Sequence, residues 1–260
     1  MKKVYPLLLL IPGLLYGAGY RLDAGLKTTA YDYTETYNGI VLDTEDSSYG
    51  DIAGGYARFE LSLTQNRFSS SALQFYASHT EGETRYIGSI LGSGQPYGSY
   101  VSTTENTFDE LQANYLLKKS LGTTDYQILL GAGFYEWERA LSVIQVETYY
   151  WYYLQMGIGM EERFYNGWSL GLDLTGQYAL SPKMDADLPG IGAVTFDLGD
   201  TYTVRTGVPL KVPVAERLEL MFRLEYEYTI INHSNIIGGY FEPDSEQGNW
   251  HLYAGVSLRF

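Results

Sequence analysis

The chain reads as an all-β protein: a single transmembrane, antiparallel, up-and-down β-barrel of about ten strands, with eight and twelve bounding the count. Three observations predict it. Apolar and polar residues alternate with period two in segment after segment beyond residue 20, and no stretch sustains the spacing of an amphipathic helix. Several of these segments exceed the ~5–6 residues usual in soluble strands, as a tilted crossing of a bilayer requires. The connections alternate between short and long, which is the pattern expected when successive turns fall on opposite sides of a membrane.

At the N-terminus, Met1-Lys2-Lys3 is basic and Val4 to Leu15 is mostly apolar. That run is shorter than the ~20 residues of a spanning helix. Small residues follow at Gly17, Ala18 and Gly19, so residues 1–19 are expected to be a secretory signal cleaved after 17 or 19, with 20–260 forming the barrel.

Strands are expected at 21–35, 52–65, 71–87, 104–118, 125–139, 147–163, 167–181, 201–213, 217–231 and 248–260. In the last one, Trp250, Leu252, Ala254, Val256, Leu258 and Phe260 share an apolar face, opposite His251, Tyr253, Gly255, Ser257 and Arg259. Short connections fall at 65–70, 118–125, 163–167 and 214–216, and long ones at 36–50, 88–103, 140–146, 182–200 and 232–247. Both termini then lie on the side of the short turns, which is periplasmic in such barrels. Basic residues mark those turns, at Arg67, Lys118, Lys119, Arg163 and Arg217. Tyrosine is abundant, 26 in all, and its clusters at Tyr31 and Tyr33, Tyr149 to Tyr153, and Tyr226 and Tyr228 are expected to form an interfacial girdle.

Composition narrows the function. With 17 Lys+Arg against 31 Asp+Glu and a net charge of −14, the chain would repel nucleic acid. The absence of cysteine excludes disulfides, a thiolate nucleophile and Cys-ligated metals, and no cofactor is expected. Charges at inward positions, Arg205, Lys211, Glu219, Arg223, Glu225, Glu227 and Arg259 among them, mix both signs and predict a lumen network that leaves at most a narrow passage. A hairpin centred on Ala215 would set Lys211 against Glu219 and Arg205 against Glu225, and shortening Arg205 and Arg223 together would then raise conductance.

The segment Trp250 to Phe260, with its terminal Phe and an apolar residue at every second position before it, resembles the assembly signal of bacterial outer-membrane barrels. Asn232-His233-Ser234-Asn235 and Phe241-Glu242-Pro243-Asp244-Ser245 are similar in flavour to loops preceding the final strand in small barrels of the opacity and porin-like class. The resemblance implies a Gram-negative outer-membrane location and contact with outer-membrane lipid and lipopolysaccharide. It also implies recognition by the barrel assembly machinery through Leu258 and Phe260. Function within that class would be surface binding, envelope structure or a narrow solute pore.

A rim-located hydrolase is the alternative. Omptin proteases pair two aspartates with an Asp-His couple; Asp185 and Asp187 stand in an expected loop here, but His79, His233 and His251 lack the Asp-x-His spacing. Lipid A deacylases place a residue between histidine and serine, whereas His233 and Ser234 are adjacent, with Glu242 or Glu246 downstream. Adjacent strand residues face opposite ways, so His233, Ser234 and Glu246 are weak catalytic candidates. Asp43, Glu45 and Asp46 belong to an expected loop rich in acid, read first as a solvated face and second as a site for divalent cations or an extracellular ligand. On that reading their removal leaves folding intact.

Overall fold

The computed structural model describes residues 19–66, 68–89, 94–142, 145–188 and 192–260, so the signal segment before Gly19, and Arg67, lie outside the described residues. The described chain consists of antiparallel strands: β1 (Tyr20–Ala30), β2 (Asp32–Tyr37), β3 (Ile40–Asp46), β4 (Ile52–Gln65), β5 (Ser69–Gly88), β6 (Tyr100–Leu121) and β7 (Thr124–Ser142). They continue as β8 (Gln145–Arg163), β9 (Ser169–Leu188), β10 (Gly192–Asp197), β11 (Thr201–Ala215), β12 (Leu218–Ile231) and β13 (Asp244–Arg259). Ten of these close a ring in the order β1, β4, β5, β6, β7, β8, β9, β11, β12, β13 and back to β1.

The remaining three strands are additions at the end opposite the short turns. The β2–β3 hairpin inserts between β13 and β5, and β10 folds back on β9. The expectation of loops at 36–50 and 182–200 is corrected accordingly. Asn38 and Gly39 take φ values of 52° and 76°, the left-handed pair that lets a two-residue turn match the twist of its strands.

A crossing needs ~9–11 residues per strand, yet β5 and β6 run to 20 and 22. The surplus stands above the membrane, and the alternation inverts where the bilayer ends. In β7 the outward positions read Tyr126, Ile128, Leu130, Ala132, Phe134 and then Glu136 and Glu138, while the inward ones become Tyr135, Trp137 and Arg139. In β9 the outward leucines at 170, 172, 174 and 180 give way to Lys183, Asp185 and Asp187 once a bulge, with Ser181 at φ 49°, has flipped the face.

Aromatic pairs mark the upper edge of the apolar belt. Phe134 meets Tyr152 at 5.2 Å between ring centroids, Tyr178 meets Tyr202 at 5.4 Å, and Tyr226 meets Trp250 at 4.9 Å. At the lower edge Phe260 stacks on Tyr20 at 4.8 Å. Tyr31, Tyr33, Tyr149 and Tyr153 do not join this girdle as expected; all four point inward and are buried. Period two explains the division, because neighbours such as Tyr149 and Tyr150 must face opposite ways.

Candidate functional site

The lumen is filled in tiers. Nearest the short turns, Arg223 donates to Asp173 at 2.6 and 2.7 Å and to Glu225 at 2.6 Å. Lys211 reaches over β9 to Glu161, Arg259 bonds Glu219, and Arg21 donates to Asp23 at 2.8 Å. All of these side chains except Glu219 border a cavity of about 450 Å³ open at the short-turn end. Above it Arg205 is bound by Glu227 and by Glu110, the latter at 2.7 Å, and Tyr153 also donates to Glu110 at 2.6 Å.

The structure thus brings the inward charges together, but with other partners than the sequence suggests. The β11–β12 ladder sets Arg205 opposite Glu227, Lys211 opposite Met221 and Glu219 opposite Pro213, two residues away from the expected register. The turn sits at Glu216 and Arg217 rather than on Ala215, and a bulge between Pro213 and Ala215 takes back only part of the resulting shift.

Over the Arg205 tier lies an aromatic one. Trp137 stacks on Tyr149 with centroids 4.4 Å apart and on Phe108 at 6.0 Å, while Tyr33 meets it edge-on at 5.3 Å. Tyr135 and Trp151 stack at 4.8 Å beside them. Trp137 Nε1 donates to Asn106 Oδ1 at 2.7 Å, so its polar atom is satisfied inside the apolar layer. Ile52, Met184, Phe196 and Ile231 complete this core.

Capping the aromatic tier is Arg139, only 1% exposed. Its Nε donates to Glu45 at 2.5 Å, Nη1 to Glu35 at 2.7 Å and Glu147 at 3.1 Å, and Nη2 to Asp43 at 3.4 Å. The guanidinium also sits 4.7 Å from the Tyr33 ring centroid. Tyr149 and Tyr33 extend the network, donating to Glu242 at 2.6 Å and to Glu35 at 2.7 Å. One cation cannot neutralise this many acids. Burial, reinforced by Glu35, raises the Asp43 and Glu242 carboxyls well above the carboxylate range, and burial raises Glu147 despite the opposing pull of Arg139.

Asp43 and Glu45 are therefore not solvated loop carboxylates. They lie in β3 and turn inward, and only Asp46 is exposed. Among the described residues no group of three or more acidic or histidine side chains has the geometry to hold a metal ion.

The hydrolase candidates are dispersed. His233 Nδ1 lies 2.9 Å from Asp244, and the buried Ser234 hydroxyl donates to Asn235 O and accepts from the Glu242 amide, each at 2.8 Å. Glu246 accepts from Tyr228 at 2.5 Å. Asp185 faces outward on β9 and accepts from Thr195 at 2.6 Å. An Asp-His couple does exist, His79 with Asp109 at 2.9 Å, but it lies exposed on β5 and β6, separated in the ring from β9 by β7 and β8. Sequence reasoning missed Arg139, Trp137, Glu35 and Glu147. Their signal was the inverted alternation of Tyr135, Trp137 and Arg139 against Glu136 and Glu138.

No family model and no characterised relative matches the chain. Among solved structures it is similar to the outer-membrane protease OmpT from Escherichia coli, with a TM-score of 0.53 and 11% identity over 94% of this chain and 96% of that one. This is the outer-membrane β-barrel fold. An apolar belt around a charged lumen is stable only in a bilayer, and the outer membrane is where this fold resides. The translocator domain of the autotransporter NalP from Neisseria meningitidis gives a TM-score of 0.47 at 11% identity, covering 93% of this chain and 89% of that one. The transport unit of the autotransporter AIDA-I from Escherichia coli gives 0.45 at 8%, covering 98% and 94%.

Proposed function

We propose that this protein is a non-enzymatic, non-conducting outer-membrane barrel that acts as a surface-binding and envelope-structural element. The observation carrying this reading is the sealed outer end of the lumen, where Trp137 and Tyr149, both fully buried, stack beneath the Arg139 cluster. A pore needs a continuous polar path, and an apolar, close-packed tier interrupts it. The β2–β3 hairpin and the extended ends of β5 to β9 supply a platform above the membrane for an extracellular ligand. The C-terminal strand, ending in Leu258 and Phe260, is the segment offered to the barrel assembly machinery, and residues 1–19 are the export signal.

The rim hydrolase has weaker support, since His233 and Ser234 are each engaged with other groups. A proteoliposome swelling assay with a pentose solute tests the main reading. No swelling above protein-free vesicles is expected; swelling at porin-like rates would replace it with the pore.

A further inference from the structure

The cavity at the short-turn end is bordered by eight basic and six acidic side chains, in a chain whose net charge is −14. Nearly all of its cations are committed. Arg223, Lys211 and Arg21 are paired as above, and Lys118 donates to Glu60 at 2.6 Å. Arg58 differs. Its Nη1 comes no closer than 3.8 Å to Asp23, which Arg21 already holds at 2.8 Å. Its buried Nε has no hydrogen-bond partner among the described residues. The guanidinium lies 5.7 Å from the ring centroid of Tyr76, which also borders the cavity and is 7% exposed. The buried Tyr76 hydroxyl likewise has no partner among the described residues.

A weakly compensated guanidinium and the tyrosine ring beneath it, each carrying one unpartnered donor atom, border the same polar cavity. Unmade hydrogen bonds on buried donors are costly, and an oxyanion accepts from both at once. The volume of about 450 Å³ lies within the ~300–1,000 Å³ of small-molecule sites. The Arg205 and aromatic tiers close the far side, so entry is from the periplasmic end. We propose that this chamber binds a small oxyanion, a carboxylate or phosphate, from the periplasm, with the Arg58 guanidinium as its direct ligand and the Tyr76 hydroxyl turning to it on binding. Only the side of entry rests on closure of the outer end; the binding itself does not depend on that or on any role at the cell surface.

The test is calorimetric titration of the refolded full barrel with inorganic phosphate and, separately, with succinate. Saturable binding of at least one probe is expected, and which one binds distinguishes phosphate from carboxylate. Arg58→Gln should weaken it about tenfold or more. Tyr76→Phe, which removes a single hydroxyl, should weaken it by about threefold or more. Lys119→Gln, on the outer wall, should leave it unchanged. Asp23 keeps Arg21 in the Arg58 variant, so the barrel should still fold, as a heat-dependent gel shift would show. Should that variant misfold, Tyr76→Phe decides alone. Failure of both probes to bind, or parental affinity in the substituted barrels, would overturn the proposal.

Discussion

Arg139 Nη1 donates to Glu35 Oε1 at 2.7 Å, joining β7 to the β2–β3 hairpin across 104 residues of sequence. This contact, with those to Asp43 and Glu45, ties the hairpin onto the ring as a lid. A buried cation shared by several acids is held by the whole set, and removing it leaves like charges facing one another out of water.

Arg139→Met should therefore cost the outer end about 3–5 kcal/mol. The ring, held by its own ladders, should persist. Limited proteolysis should cut within residues 32–46 of the variant and spare the parent, while both migrate as folded barrels on gels.

The three acids of the 43–46 segment should separate. Glu45 is fully buried and accepts from Thr84 at 2.6 Å as well as from Arg139, so Glu45→Ala should destabilise the outer end by about 2–3 kcal/mol. Asp46→Ala, at an exposed position, should change it by less than about 0.5 kcal/mol. Hydrogen exchange of the β2 and β3 amides reads both.

Acid should tighten the same region. Asp43, Glu147 and Glu242 have folded pKa values raised above their unfolded ones. Their contribution is fully present below the ordinary carboxylate range near pH ~4 and is lost as pH climbs through the raised values. Amide protection in β2 and β3 should be greater at about pH 5 than at about pH 8, because raised carboxyl pKa values make rising pH the destabilising direction. Equal protection at both would show that these groups do not titrate there.

Phe260 stacks on Tyr20 at the seam where β13 meets β1, and Leu258 pairs with both Leu22 and Leu218. Phe260→Asp puts a charge at the lipid-facing end of that seam and should leave unassembled, heat-unmodifiable protein in cell fractions. Normal assembly would remove the C-terminal residue from any recognition role.

The ten-strand ring was legible because lipid on one side and a largely polar lumen on the other impose period two over the belt. Trp250 to Phe260 alone displays it. Above the belt the same chemistry runs in reverse, and a reader following apolar-outward strands loses the thread at Phe134 and at Leu180. The Asn38-Gly39 turn was a usable hairpin signal hidden in an acidic stretch. Register was less accessible: Arg205 pairs with Glu227 rather than Glu225 because the turn falls at Glu216 and Arg217 instead of on Ala215, with a bulge taking back part of that shift, and no charge pattern announces either. Arg139 stood at an inward position throughout, but its acids arrive from β2, β3 and β8, and only closure of the ring brings them together.

Shortening both Arg205 and Arg223 to alanine should not open the barrel, contrary to what the charge pattern alone suggests. Those side chains lie below the Trp137–Tyr149 tier, which stays closed when they are gone. Trp137→Ala should cost about 3–5 kcal/mol through the void it leaves, and leakage should appear in that variant first.

Single-channel recording of the unmodified, refolded protein in a planar bilayer tests the sealed lumen most directly. The account predicts a flat baseline, or at most rare small events, over a range of voltages at high salt. Large, stable, porin-like steps from the parent protein would contradict it, since ions would then be passing through the tier that Trp137, Tyr149 and Arg139 are held to close.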